Sequence, residues 1–149
     1  MLAVFGAPDR LADHADRAVA AARDVAEALV ERFGPEPSAF GPESFHFGIG
    51  VNSGPVVVGS VGGGGRLEFA VIGDPVNVAA RVENLTRETG DVVQLTVATR
   101  CLLSGDRHEL IPRGDFALKG VSEPVPIYTV LTGLDESSSG AQKTPQARA

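Results

Sequence analysis

Leu67-Glu-Phe-Ala-Val-Ile-Gly-Asp-Pro-Val-Asn-Val-Ala-Ala-Arg-Val-Glu83 decides the fold, because its hydrophobic period changes partway along. Leu67 to Ile72 is short and apolar, with β-branched and aromatic residues, and reads as a strand. Beyond Gly73, Val78, Val82 and Leu85 recur at steps of four and three, the period of a helix. Asp74 suits the N-cap and Pro75 the first helical position, where a missing N–H is harmless. Gly90 stops the helix. Upstream, Val56 to Val61 forms a second strand, linked through Gly62 to Gly65 and Arg66 into a long antiparallel hairpin. Before it, Phe45, Phe47, Ile49 and Val51 alternate with His46, Gly48, Gly50 and Asn52. Period two predicts a strand with one well-packed face, and glycines where another backbone can approach closely.

Further out, Ala15, Ala18, Val19, Ala22, Val25, Ala26, Leu29, Val30 and Phe33 predict an amphipathic helix over 15–33, stopped by Gly34 and Pro35. Its charged face reads as a solvated surface. Pro35 to Ser44 is a loop, and Met1 to Phe5 reads as the end of a buried strand with a Gly6–Pro8 exit. Downstream, Val92–Thr96 predicts a strand, Val97–Leu103 a short helix and Glu109–Ile111 a short strand. Asp115–Leu118 and Val125–Leu131 form a final antiparallel pair around Lys119-Gly120. The mixed order with hairpins disfavours a doubly wound sheet.

The 149 residues suit one domain, and a formal charge of −6 argues against a nucleic-acid partner, while one local cationic pocket stays allowed. The lone Cys101 excludes an internal disulfide and a CxxC-type zinc site. No apolar run approaches the roughly 18 residues of a membrane span, and the start lacks the basic region of a signal peptide. A soluble, cytoplasmic protein without a membrane segment is expected.

Asn77 and Arg81 stand i, i+4 on the second helix, on a face offset from the Val78/Val82/Leu85 stripe. An amide and a guanidinium fork side by side suit a ligand developing negative charge, such as a phosphoryl group. On spacing alone, a structural ion pair or a surface patch is the commoner meaning of such a pair.

The wider sequence shifts that weighting. Phe47-Gly-Ile-Gly-Val-Asn-Ser-Gly-Pro-Val-Val-Val-Gly-Ser-Val-Gly62, the Leu67–Glu83 stretch and Phe116-Ala-Leu-Lys-Gly-Val-Ser-Glu-Pro-Val-Pro-Ile-Tyr128 together resemble the catalytic domain of class III nucleotide cyclases. The resemblance runs over residues 1 to 131, and Gly-Asp-Pro-Val-Asn-Val-Ala-Ala-Arg is its most specific piece. It implies an α/β (α+β), ferredoxin-like cyclase fold, N-terminally truncated, with a long antiparallel hairpin. A partial catalytic domain over 1–133 and a disordered tail over 134–149 are expected. It also implies head-to-tail dimers with shared active sites, as a homodimer or with another cyclase subunit. The activity implied is adenylate cyclase-type: ATP to 3′,5′-cyclic AMP and pyrophosphate, in cyclic-nucleotide signalling, with two divalent cations (Mg²⁺ or Mn²⁺). By position, Asn77 would orient the ribose, Arg81 would stabilise charge on the attacked phosphate, and Lys119 would bind the terminal phosphates. Ala70 and Ile72 would lie at the base.

Three departures from the family pattern follow. The two metal-binding aspartates fall on segments upstream of this sequence, so no metal ligand is assigned here and the ligands would come from a partner subunit. A base-recognising lysine upstream is likewise missing. Ala70 stands where Asp or Thr is usual, and its methyl cannot hydrogen-bond an adenine amino group, so ATP over GTP rests on the family's bacterial members. The alternative is a non-catalytic, truncated cyclase acting as a dimerisation or nucleotide-binding module. Without the upstream strand and helix, the Phe45/Phe47/Ile49 face is expected to be partly uncovered.

The remaining signals read as structural. Asp74 is a cap, and Asp91, Asp106 and Asp115 lie in turns with no partner at metal-ligand spacing. Gly62–Gly65 lacks the Gly-Lys-Ser/Thr of a phosphate loop. Gly48-Ile-Gly50 does not open a helix, so it is not a dinucleotide fingerprint. His14, His46 and His108 are scattered, and Cys101 is expected as a buried, inert thiol.

Overall fold

A computed structural model describes residues 1–33, 47–61, 68–105 and 110–131. The elements in chain order are α1 (His14–Phe33), β1 (Ile49–Val51), β2 (Val57–Val61), β3 (Glu68–Ile72), α2 (Asp74–Thr89), β4 (Val93–Thr96), α3 (Val97–Arg100), β5 (Leu110–Phe116) and β6 (Val125–Val130). Four strands form a mixed sheet in the order β1-β4-β6-β5, with β1 parallel to β4 and the other pairs antiparallel. The β2–β3 hairpin is a separate antiparallel ribbon, in register from Val57↔Ile72 to Val61↔Glu68.

Two apolar clusters hold the helices to the sheet. The alternation along β4 turns Val93 and Leu95 toward α1, where they form a closed apolar cluster with Val19, Ala22, Ala26 and Val130. Phe47, Ile49 and Val51 pack against the same cluster. On this face, expected to be partly uncovered, α1 packs, Phe47 and Ile49 stay only partly buried, and β1 is an edge strand of the described sheet. Phe45 lies outside the described residues. On α2, Val82 and Leu85 pack with Leu118 and Ile127. At Gly50, α2 approaches so closely that a Cβ would overlap the Ala79 carbonyl oxygen and the Glu83 nitrogen. A side chain here would separate helix from sheet, which is the physical content of the glycine in this strand.

Several boundaries differ from the sequence reading. Met1 to Phe5 is not a strand; Met1 and Leu2 are exposed, and no described strand runs alongside to pair their backbone groups. The cap of α2 is Gly73, which places Asp74 inside the first turn, where its charge still opposes the helix dipole. Gly90 closes α2 as expected, its N–H donating to the Thr86 carbonyl at 2.9 Å. The segments read as Glu109–Ile111 and Asp115–Leu118 are one strand, β5. Pro112-Arg-Gly114, which looks like a turn, is a bulge in its pairing with β6. An edge strand tolerates proline, because its outward N–H needs no ladder partner. The short helix ends at Arg100, so Thr99 is buried and Cys101 falls on an exposed turn rather than inside. The α1 stop at Gly34–Pro35, the hairpin tip, His46, Asp106, His108 and the 134–149 tail lie outside the described residues.

Candidate functional site

The candidate site lies where α2 meets the β5–β6 connection. Helical period puts Arg81, Asn84 and Glu88 on one line of α2. The strand exit at Phe116 carries Ala117, Leu118 and Lys119 across from them. Leu118 is buried against Val82 and Leu85, which pins the backbone on either side of Lys119. These residues line a shallow, open cleft of about 210 Å³, with Leu85 and Leu118 on its apolar side and Arg81, Asn84, Glu88 and Lys119 on its polar rim. Gly120 has a φ of 74°, a left-handed conformation that favours glycine. A Cβ on it would stand 3.5 Å from an Arg81 Nη atom, so the guanidinium lies directly against this turn.

Arg81 is half-buried, and Lys119 is exposed. Neither has an ion-pair partner among the described residues. The ion-pair meaning of the Asn77/Arg81 spacing therefore finds no bonded carboxylate among the described residues, although Glu88 stands two turns along the same rim. With Arg81 and Lys119 against the single carboxylate of Glu88, the rim keeps a net positive charge, which favours an anionic ligand. Asn77 is exposed one turn nearer the start of α2 and does not line the cleft. Ala70 is half-buried and Ile72 exposed on β3, opposite Gly59 and Val57. The structure thus brings Arg81 and Lys119 together, keeps Asn77 on the same helix, and leaves Ala70 and Ile72 on the hairpin, away from the cleft. Asn84 and Glu88 were missed as rim residues. Their signal was the helical line through Arg81, visible only once Lys119 marks that face.

Among the described residues, no three or more His, Cys, Asp or Glu side chains group so as to hold a metal ion. The described donors therefore do not fit a two-metal site. Asp91, read from sequence as a turn carboxylate with no partner at metal-ligand spacing, has structural partners. It is 3% exposed, receives Arg113 Nε at 3.0 Å and Nη2 at 2.5 Å, and accepts from Gln94 Nε2 at 2.8 Å. The bulge at Arg113 is what delivers that guanidinium to a residue far away in sequence. Asp91 is a structural clamp between the end of α2 and β5.

No described helix is long and apolar enough to cross a membrane. The sequence model of the adenylate and guanylate cyclase catalytic domain matches residues 1–132. An uncharacterised protein of Mycobacterium tuberculosis is 46% identical over 86 residues, covering 58% of this chain and 14% of that protein. Among solved structures, the guanylyl cyclase Cya2 is 31% identical with a TM-score of 0.67, covering 86% of this chain and 63% of its own. The adenylyl cyclase CyaB of P. aeruginosa is 27% identical with a TM-score of 0.63, covering 85% and 64%. The guanylate cyclase domain of RhGC from Catenaria anguillulae, solved in complex with GTP, is 31% identical with a TM-score of 0.62, covering 86% and 65%. The chain spans a small part of the curated relative and just under two-thirds of each solved domain. With its sheet, hairpin and α2 in the order the sequence motifs require, this chain belongs to the adenylate and guanylate cyclase catalytic domain family.

Proposed function

We propose that this chain supplies the charge-stabilising half of a nucleotide cyclase site shared across a dimer, converting ATP to 3′,5′-cyclic AMP and pyrophosphate in the cytoplasm. The observation that carries this reading is the Arg81 guanidinium, without an ion-pair partner among the described residues, lying against the Lys119-Gly120 turn. In the reaction the ribose 3′-oxygen bonds to the α-phosphorus as the bond to the pyrophosphate oxygen breaks, so negative charge grows on the phosphoryl oxygens and the leaving group. Arg81 is rigid, planar and always charged, which suits the reacting phosphoryl group. Lys119, a flexible point charge, suits the terminal phosphates. Asn77, one helical turn from Arg81, would orient the ribose. Ala70 and Ile72 would border the base, where a methyl and a branched aliphatic side chain give shape without hydrogen bonds. ATP is the preferred substrate in this reading, and GTP is the competitor to assay beside it.

Mg²⁺ or Mn²⁺ is the family's cofactor, and in this reading its ligands come from the partner subunit. The test is complementation. A cyclase subunit that keeps its own metal carboxylates, but has alanine at its counterparts of Asn77 and Arg81, is inactive as a homodimer. Mixing it with this chain should restore activity that depends on both concentrations. Arg81→Ala in this chain should then reduce turnover about 10²–10³-fold, the usual cost of one preorganised transition-state donor. Lys119→Ala should act more on KM, because triphosphate contacts precede attack. A second reading is a dimerising or nucleotide-binding module without turnover; among the described residues no three or more His, Cys, Asp or Glu group to hold a metal ion. Formation of the mixed dimer without any cyclic nucleotide would establish that second reading instead.

A further inference from the structure

Asn52, the residue after β1, commits both ends of its amide to tertiary hydrogen bonds. Its Nδ2 donates to the Pro75 carbonyl at 3.0 Å, in the first turn of α2. Its Oδ1 accepts from the Thr96 hydroxyl at 2.6 Å. Thr96 is 1% exposed, at the junction of β4 and α3, and also accepts from the Thr99 N–H. The residues that follow repeat the attachment. Ser53 Oγ and Thr99 Oγ1 share a hydrogen bond at 3.1 Å, and Gly54 lies so close to the Pro75 ring that a Cβ would stand 2.5 Å from its Cγ. The start of α2 is thereby tied to the ends of β1 and β4 by directional bonds, with the Gly54–Pro75 contact beside them. The Asn52 amide meets both demands at once, a donor toward a carbonyl and an acceptor toward a hydroxyl. Pro75 precedes Asn77 by two residues, so whatever holds the Pro75 carbonyl sets where Asn77 points.

We propose that Asn52 is a positioning residue for the half-site: acting through Pro75 and Thr96, it orders the first turn of α2 and so places Asn77, without itself touching nucleotide. Its effect on reaction rests on the cyclase reading above; its effect on the helix does not. Two variants separate the bonds. Asn52→Ala removes both, while Asn52→Asp keeps acceptance from Thr96 and sets a carboxylate against the Pro75 carbonyl.

In the mixed dimer, Asn52→Ala and Asn52→Asp should each lower kcat about tenfold with KM changed less than about twofold, as loss of reacting geometry rather than of binding. In an Asn77→Ala background, the same changes should have little further effect, because residues acting through one another are not additive. Separately, hydrogen exchange on the whole chain should quicken about tenfold at the amides of Val76 to Val78 while those of the last turns of α2 keep their protection. A rise in KM at constant kcat, or a full multiplicative loss on top of Asn77→Ala, would overturn the proposal. If the wild-type chain restores no activity, the cyclase reading has failed and exchange alone decides: unchanged first-turn protection in both variants rejects the anchor, and a selective loss there upholds it. Should Asn52→Ala not fold, Asn52→Asp carries the same measurements.

Discussion

The two faces of the central sheet are built on different physics. Against α1, the buried residues are Val19, Ala22, Ala26, Val93, Leu95 and Val130, an apolar layer with no directional demands. Against α2, the sheet also buries Gln94, Thr96 and Thr129, while Thr86 is buried on the helix. Thr129 donates to the Val93 carbonyl at 2.8 Å, Thr96 to Asn52, and Gln94 to Thr89 at 2.6 Å and to Asp91. Apolar contact is additive and tolerant of small rotations, whereas buried hydrogen bonds must be met at particular angles or left costly and unpaired. The helix that only closes the core sits on the first kind of surface. The helix carrying Asn77 and Arg81 sits on the second, where its rotation and height are specified.

The contrast can be broken at its apolar side first. Leu95 is fully buried beneath α1, and Leu95→Ala should cost about 2–5 kcal/mol through lost burial and an unfilled cavity. Chemical denaturation should show this loss, while the kcat of the molecules that remain folded in the mixed dimer stays near wild type. A selective collapse of kcat at native stability would mean that the two faces are not separable.

Gly50→Ala probes the α2 side with a smaller stability effect and a larger functional one. The new methyl meets helix backbone rather than the end of a flexible side chain, so α2 must shift. Overpacking of this kind should cost about 1–3 kcal/mol by denaturation. Complementing activity should fall by more than the folded fraction explains, since Ala79 and Glu83, which the methyl meets, flank Arg81. Activity that tracks the folded fraction alone would show that helix height does not matter to the site.

The outer surface of α1 should respond least. Arg17 and Asp13 pair at 2.9 Å with side chains 58% and 50% exposed. Arg17→Ala should change stability by less than about 0.5 kcal/mol, and less again in high salt. A larger loss would place this face in an interface rather than in water.

What could be read from the chain depended on how local each signal was. The three- and four-residue spacing along α1 and α2, the Gly90 stop and the hairpin strands are set by neighbours within a few residues, and they stand close to where the sequence puts them. Pro112-Arg-Gly114 reads as a turn because its local chemistry is that of one. It becomes a bulge only because β6 lies beside it and Asp91 waits for the Arg113 guanidinium. Met1 to Phe5 has strand-like composition, yet a strand exists only with a neighbour to share its hydrogen bonds. Cys101 moved from interior to surface through a helix three residues shorter than its apolar run suggests.

The candidate site divides in the same way. Sequence by itself determined that Asn77 and Arg81 share a face, since helical period links i and i+4 whatever else surrounds them. Its motifs also marked Lys119-Gly120 as the turn that belongs with that helix. Only the tertiary structure decided that Arg81 lies against Gly120 and goes unpaired among the described residues, that Asn84 and Glu88 complete the rim, and that Ala70 and Ile72 stand apart on the hairpin. Chain spacing specifies which side chains look the same way; which distant backbone they meet depends on layers closing over Gly50, Leu118 and Asn52, and no local pattern encodes that closure.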